Sequence, residues 1–305
     1  MKMRLEENAR PVIFGEVLFN HFPDDSHHLG GAPFNVAWHL QGFGLRPLFV
    51  SRIGQDTEGE IVLTEMVKWG MDTQAVQIDP HHPTGNVQVT FNNDEPEFII
   101  SKDQVWDNIS SPVVIELIKN LPCSLLYFGS LAQRGNVSAM TLRKIIVEAH
   151  LPTFVDINLR KPWHQEASIT LCLQIADWLK LNEEELNTIT MSTNLSVTAQ
   201  QQVAELLRRQ KKIETVYLTR GNEGANVVDQ QGVLQVKAVK TSGEGDSVGA
   251  GDAFSAVCIL GLHMGWSRQD IIDRANTFAA KICEHTGALP LAMHDYEELR
   301  EQWSL

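Results

Sequence analysis

Asp246-Ser247-Val248-Gly249-Ala250-Gly251-Asp252-Ala253-Phe254 is the stretch on which the rest of the chain turns. Two glycines flank an alanine, an aspartate follows, and an apolar run from Ala253 to Leu262 begins at once. That run is too short and too interrupted to cross a bilayer, so it reads as a buried helix. The first turn of such a helix has backbone N–H groups without partners inside the helix, here pointing back at Gly249, Ala250 and Gly251. Small residues let a bulky anion approach that backbone, and the helix dipole adds partial positive charge. Asp252 places a carboxylate where the anion would sit. Two readings of it stand side by side: a helix cap, or a base that takes a proton from an attacking hydroxyl.

Working outward, the 305 residues suffice for one large α/β domain or two smaller ones. Hydrophobic residues make up 43% of the chain and charged ones 21%, the balance of a soluble enzyme with a sizeable core. The net charge of −13 argues against a nonspecific nucleic-acid binder. It leaves phosphorylated ligands open, because an anion site can be built from backbone rather than lysines. Cys123, Cys172, Cys258 and Cys283 lie far apart with no Cys-x-x-Cys pair, so they read as buried free thiols. Residues 1–10 are charged and contain no apolar core like that of a signal peptide, so a cytoplasmic protein with no membrane partner is expected.

Taken in order, the chain alternates strands and helices. Residues 11–19 read as one apolar strand. Leu29-Gly30-Gly31-Ala32-Pro33 leads into a helix from Phe34 to Leu40 that ends near Gly42 and Gly44. Asn35 lies one turn inside it, either bonding a neighbouring loop or meeting a ligand. A strand at 47–54, a helix at 58–69 and a strand at 73–78 complete a βαβαβ order, which predicts a parallel sheet with right-handed crossovers. Residues 85–91 and 97–100 flank a turn at 92–96 and form a hairpin. With the segment around 17–32 it makes either a small β lid or a plain edge hairpin.

The α/β rhythm resumes with a strand at 124–128. A helix at 137–149 follows, with Val137, Met140, Ile145 and Ala149 along one side. The strand at 153–158 carries Asp156, Asn158 and Arg160 at its carboxyl end, where open α/β sheets bind ligands. A short strand at 178–181 precedes Asn182-Glu183-Glu184-Glu185, whose acidic side chains complement a helix dipole. A strand at 214–219, a hairpin at 225–236, a helix at 269–285 and a short charged helix close the chain. No internal repeat, low-complexity segment or long linker is present.

Several chemistries are absent. There is no Gly-x-x-x-x-Gly-Lys-Ser/Thr loop and no His-Glu-x-x-His. Gly243-Glu244-Gly245 comes nearest to a dinucleotide fingerprint, but Val248 stands where its third glycine belongs. The pairs His27-His28 and His81-His82 lie in polar turns beside prolines and read as surface residues.

Five motifs, in order, carry a resemblance that spans residues 11 to 290. The opening stretch is similar to the C-terminal signature of the PfkB (ribokinase-like) carbohydrate kinases, and Leu29 to Ala37 resembles that family's N-terminal Gly-Gly…Asn signature. Asn182-x-x-Glu185, Thr219-Arg220-Gly221-x-x-Gly224-Ala225 and Gly287-Ala288-x-Pro290 resemble its remaining motifs. Gly15-Glu16, the Gly-Gly-Ala-Pro-Phe-Asn form and Asp156-x-Asn158-x-Arg160 are most similar to fructokinases.

The resemblance implies a single ribokinase-like domain over 1–305: a central, mostly parallel sheet flanked by helices, with a β-sheet lid from about 17–32 and 84–103. It implies transfer of the ATP γ-phosphoryl group to a sugar hydroxyl, with Asp252 as base and the backbone of Gly249, Ala250 and Gly251 around the phosphate. It places Asn182 and Glu185 on Mg²⁺ through water. Thr219, Gly221, Gly224, Asn276 and Gly287 would line the nucleotide, and Gly30, Gly31, Asn35, Phe98 and Arg160 would meet the sugar. K⁺ activation occurs in such relatives, which makes Asp246 the candidate monovalent-cation ligand, and lid-mediated homodimers are common among them. One departure bears on substrate: Asn20 stands where fructokinases carry Asp. The alternatives left open are a kinase for another sugar, a keto-deoxy sugar acid or a nucleoside, and a binding protein without catalysis.

Overall fold

Val12, Ile13 and Phe14 have no exposed surface, so the strand that carries them is covered on both faces, as a parallel strand inside an α/β sheet must be. The computed structural model describes residues 8–92, 95–241, 245–290 and 292–305. The charged N-terminus, the turn at 92–96 and the Gly243-Glu244-Gly245 sequence fall wholly or partly outside those residues. In chain order the elements are β1 (Arg10–Phe14), β2 (Leu18–His21), β3 (His27–Gly30), α1 (Ala32–Gly42), β4 (Leu48–Gly54), α2 (Thr57–Lys68), β5 (Val76–Asp79), β6 (Gly85–Asn92), β7 (Glu95–Ile100), α3 (Ser111–Asn120) and β8 (Cys123–Phe128). There follow α4 (Asn136–Ala149), β9 (Thr153–Asp156), α5 (Glu166–Ile175), β10 (Trp178–Asn182), α6 (Glu183–Thr190), α7 (Val197–Lys211), β11 (Thr215–Thr219), β12 (Ala225–Asp229), β13 (Gly232–Val236), α8 (Ala250–Met264), α9 (Arg268–Cys283) and α10 (Met293–Trp303). Among the described residues the strands form a nine-stranded sheet, β13-β12-β11-β10-β9-β8-β1-β4-β5, and a separate four-stranded sheet, β3-β2-β6-β7. The expected α/β class, a large and mostly parallel sheet with a small second one, is the class observed.

The chain divides into two compact units, one chiefly Ser124–Leu131 and Leu151–Pro290, the other chiefly Arg10–Cys123, Ala132–His150 and the C-terminal helix. In the first unit β8, β9, β10 and β11 run parallel, and the hairpin β12–β13 joins β11 antiparallel. Their register sets Lys180 beside Asp156 and Asn182 beside Thr219. The rings of Tyr127, Phe154 and Tyr217 stack across these strands at centroid distances of 6.0 and 5.9 Å. Phe254 of α8 meets Tyr217 edge-on at 6.4 Å. Residues Ala253 to Leu260 of α8 are all buried, as a helix that is apolar all round must be.

In the second unit β1, β4 and β5 are parallel neighbours, the expected βαβαβ arrangement. The single strand expected at 11–19 is two strands. The chain turns at Gly15, whose φ of +151° suits glycine and whose added Cβ would run into the Pro33 ring. Hydrophobicity is continuous through the break, so periodicity does not register it. The hairpin β6–β7 is not an edge of the large sheet: β6 pairs in parallel with β2, and β2 pairs antiparallel with β3.

The buried face of α4 also differs from expectation. Ser138, Thr141, Leu142 and Ile145 face inward, while Val137 is 44% and Met140 70% exposed. The hydroxyls decide this: Ser138 donates to the Trp106 carbonyl at 2.6 Å and Thr141 to the Ile109 carbonyl at 2.7 Å. Helices α3, α5 and α7 add to the elements expected from the sequence pattern. All four cysteines are free, two buried and two half-buried. Among the described residues, no helix is long and apolar enough to cross a membrane.

Candidate active site

The N-terminus of α8 begins at Gly249, which occupies the cap position with φ +80° and has no side chain to cap with. A Cβ there would lie 2.5 Å from the Ala288 side chain, so only glycine allows the two loops to touch. Asp252 sits in the first helical turn, half-buried and beyond the cap position, which removes the reading of it as the capping residue. Of the three amides expected to face an anion, Ala250 N–H reaches the Ser247 carbonyl at 3.3 Å. Asp246 braces the turn: its oxygens accept from Val248 N–H at 2.9 Å and Gly287 N–H at 3.0 Å. The 246–252 turn and the loop around Gly287 and Ala288 are thus one unit.

Beneath this turn lies a buried charge. Lys180 Nζ is 3.1 Å from each oxygen of Asp156, and Ser255 Oγ of α8 donates to Asp156 Oδ2 at 2.8 Å. A Cβ on Gly251 would be 3.0 Å from the same Nζ. Burial works against the ammonium, but the carboxylates of Asp156, Glu185 and Asp252 outweigh it and hold Lys180 above its ordinary value. A fixed positive charge therefore stands directly under the helix turn that carries Asp252. A partner for Asp156 was not anticipated, although the signal was there: a lysine among Trp178, Leu179 and Leu181 on an interior strand must have a counter-charge.

Asn182 and Glu185 form a reciprocal capping box for α6. Asn182 Oδ1 accepts from Glu185 N–H, and Glu185 Oε2 accepts from Asn182 N–H, each at 2.8 Å. Glu185 Oε1 also accepts from Leu159 N–H at 2.9 Å, tying α6 to the loop after β9. Burial pushes the Glu185 carboxyl up, against the pull of Lys180 and the two backbone donors.

The other expected nucleotide residues sit on nearby elements of the same unit. Thr219 ends β11, next in register to Asn182. The loop that follows closes through Arg220 N–H to Gly224 O at 2.8 Å, and the buried Arg220 guanidinium pairs with Glu223 and, at 3.4 Å, Glu183. Asn276 of α9 is buried, and its amide donates to the Lys237 carbonyl at 2.6 Å, which pins the segment after β13. Arg160 is exposed in the loop after β9.

The residues expected to meet the sugar, apart from Arg160, belong to the second unit. Asn20 of β2 faces His28 on one side and Val87 on the other, and Val87 faces Ile100. Side chains two residues apart share a face, so Gly30, Asn20 and Phe98 lie on one face of the four-stranded sheet. A Cβ on Gly30 would be 3.0 Å from Asn20 Nδ2, and Phe98 is 40% exposed. Gly31 caps α1, and Asn35, buried at 5% exposure, donates its backbone N–H to the Gly31 carbonyl at 2.8 Å.

The family model described as pfkB family carbohydrate kinase matches residues 5–293. A fructokinase of Escherichia coli is 29% identical over 274 residues, covering 84% of this chain and 85% of the relative. The structure of fructokinase from Vibrio cholerae O395 with fructose, ADP and a calcium ion matches with a TM-score of 0.76 at 23% identity, over 95% of this chain and 99% of that one. A double mutant of that fructokinase was solved with fructose, ADP and a potassium ion. Aminoimidazole riboside kinase from Salmonella enterica, with aminoimidazole riboside and an ATP analogue, gives the same TM-score of 0.76 at 18% identity, over 95% and 99% of the two chains. Two proteins with different acceptors match equally well, so the fold does not select the acceptor.

Proposed function

The chain belongs to the PfkB family of carbohydrate kinases, and on that premise we propose that it moves the γ-phosphoryl group of ATP to a hydroxyl of a fructose-like sugar. The observation that carries this reading is the half-buried Asp252 in the first turn of α8, above the ammonium of Lys180. Asp252 takes the proton of the attacking hydroxyl while the new O–P bond forms and the bond from the γ-phosphorus to the ADP oxygen breaks. The backbone around Gly249, Ala250 and Gly251, with the positive end of the α8 dipole, stabilises charge on the transferring oxygens.

Thr219, Gly221, Gly224, Asn276 and Gly287 are assigned to the nucleotide. Mg²⁺ fits the donor set at Asn182 and Glu185 through its water shell. Both Glu185 oxygens already accept backbone N–H bonds, so the carboxylate suits the water shell of an ion that dehydrates reluctantly. When bound, the ion supplies countercharge to the phosphates. Asp246 is assigned to a monovalent cation such as K⁺, in addition to its bracing role. Gly30, Gly31, Asn35, Phe98 and Arg160 are assigned to the sugar. A cytoplasmic homodimer, with the four-stranded sheet as lid, completes the proposal on the family resemblance.

The second reading is a kinase for another sugar, a keto-deoxy sugar acid or a nucleoside, and Asn20 favours it. An amide brings a donor where the fructokinase carboxylate brings two acceptors, which suits a different hydroxyl pattern. The deciding experiment is an ADP-release screen over ketoses, aldoses, sugar acids and nucleosides with Mg²⁺-ATP. Turnover with one class names the acceptor. A protein whose melting temperature rises with a sugar, yet which releases no ADP with any, is a binder, and the kinase reading then fails.

A further inference from the structure

His21, His27 and Glu58 bring two imidazoles and a carboxylate together outside the site described above. His21 and His27 are direct cross-strand partners on β2 and β3. They project from the face of the four-stranded sheet opposite to Asn20 and Phe98, because neighbouring strand residues alternate. Their rings stack, centroids 4.0 Å apart and 14° from parallel. Both point at one oxygen of Glu58: His21 Nε2 is 2.9 Å and His27 Nδ1 3.6 Å from Glu58 Oε1. The three candidate ligand atoms all lie within 4.8 Å of one another. Glu58 is held in the first turn of α2 by a rigid cap: Asp56 accepts from Gly59 N–H at 2.8 Å and from Thr84 N–H and Oγ1, each at 2.6 Å.

We propose that His21, His27 and Glu58 are a binding site for a divalent transition ion of the zinc class. Tetrahedral zinc with ligands at about 2.0–2.2 Å needs ligand atoms about 3.3–3.5 Å apart. The two distances to Glu58 Oε1, 2.9 and 3.6 Å, bracket that value; binding requires the rings to turn out of their parallel stack so that each lone pair meets the ion, and water takes the fourth position. Two neutral nitrogens and one carboxylate suit zinc or cobalt rather than magnesium, which demands oxygen ligands in octahedral array. Each imidazole would bind through the nitrogen that faces Glu58, in the tautomer that carries its N–H on the other ring nitrogen. Bound there, the ion ties β2 and the edge strand β3 to the start of α2 and stiffens the strand that carries Asn20.

The test is titration of the nucleotide-free, full-length protein with Co²⁺, read by visible absorption, followed by competition with Zn²⁺. One equivalent is expected to bind with a micromolar or tighter dissociation constant. Zn²⁺ is expected to raise the melting temperature, and Mg²⁺ at the same concentration is not. His21→Ala/His27→Ala, and separately the shape-preserving Glu58→Gln, are expected to weaken Co²⁺ binding at least tenfold. Circular dichroism checks that each variant is folded. A weaker wild-type affinity, or a loss below tenfold in either folded variant, overturns the site. ADP release is not part of the readout, so the result stands or falls separately from the proposed activity.

Discussion

Lys180 Nζ lies 3.1 Å from both carboxylate oxygens of Asp156, an ion pair with side chains 8% and 0% exposed that joins β9 to β10 directly under the N-terminus of α8. Removing one partner strands a charge in the interior, which in other proteins costs about 3–5 kcal/mol. Lys180→Met is therefore expected to lower unfolding free energy in urea by about that amount. The double variant Lys180→Met/Asp156→Asn should lose less than the sum of the two single changes. Additive losses would show that the pair is not coupled.

Asp252→Asn tests the base. The amide keeps the shape of the side chain but cannot accept the proton, so turnover should fall by about 10²- to 10⁴-fold. ATP affinity, measured by calorimetry, should change little. Near-native turnover would remove Asp252 from the chemistry.

Asn20→Asp tests the acceptor. Charge-assisted hydrogen bonds are roughly twice as strong as neutral ones, so a restored carboxylate should raise kcat/KM for fructose by about 5- to 10-fold. The change should appear mainly in KM. Unchanged or poorer use of fructose would acquit Asn20 and point to its neighbours on the same face.

His39 predicts a pH dependence of stability. It is fully buried, its Nδ1 is 2.7 Å from Tyr296 Oη, and burial pushes the imidazole down to about 3. In the unfolded chain an ordinary imidazole takes up a proton near pH 6.5, while the native one stays neutral. The associated stability is complete above that pH and is lost as pH falls toward about 3. Between pH 6.5 and 5 the loss from this group is about 2 kcal/mol. Urea unfolding of His39→Gln should show a flatter profile over that window, whatever its stability at pH 7. An identical slope in both proteins would contradict the assignment.

Some of this was legible in the chain itself. Alternating apolar strands and helical patterns dictate an α/β sheet, because each element must bury a face against a neighbour. The Gly249-Ala250-Gly251-Asp252 sequence dictates a helix start, since small residues before an apolar run and the unpaired amides of a first turn are local properties. The hairpin at 85–100 was visible from its alternation, and its membership of a separate sheet was one of two readings. Elsewhere the local pattern is silent. Gly15 interrupts a continuous apolar run, so one strand was expected where there are two. Ser138 and Thr141 look like surface residues until the Trp106 and Ile109 carbonyls that bind their hydroxyls are known.

The sequence by itself determined the class of the fold, the family, and the helix turn on which Asp252 sits, because these follow from contiguous residues. Only the tertiary structure decided that Lys180 lies under that turn, that Glu185 is held by the loop after β9, and that His21, His27 and Glu58 meet. Those relationships join residues 24 to 71 positions apart, or share one carboxylate between distant segments. Strand register and helix packing set such distances, and neither is written in any local run of residues.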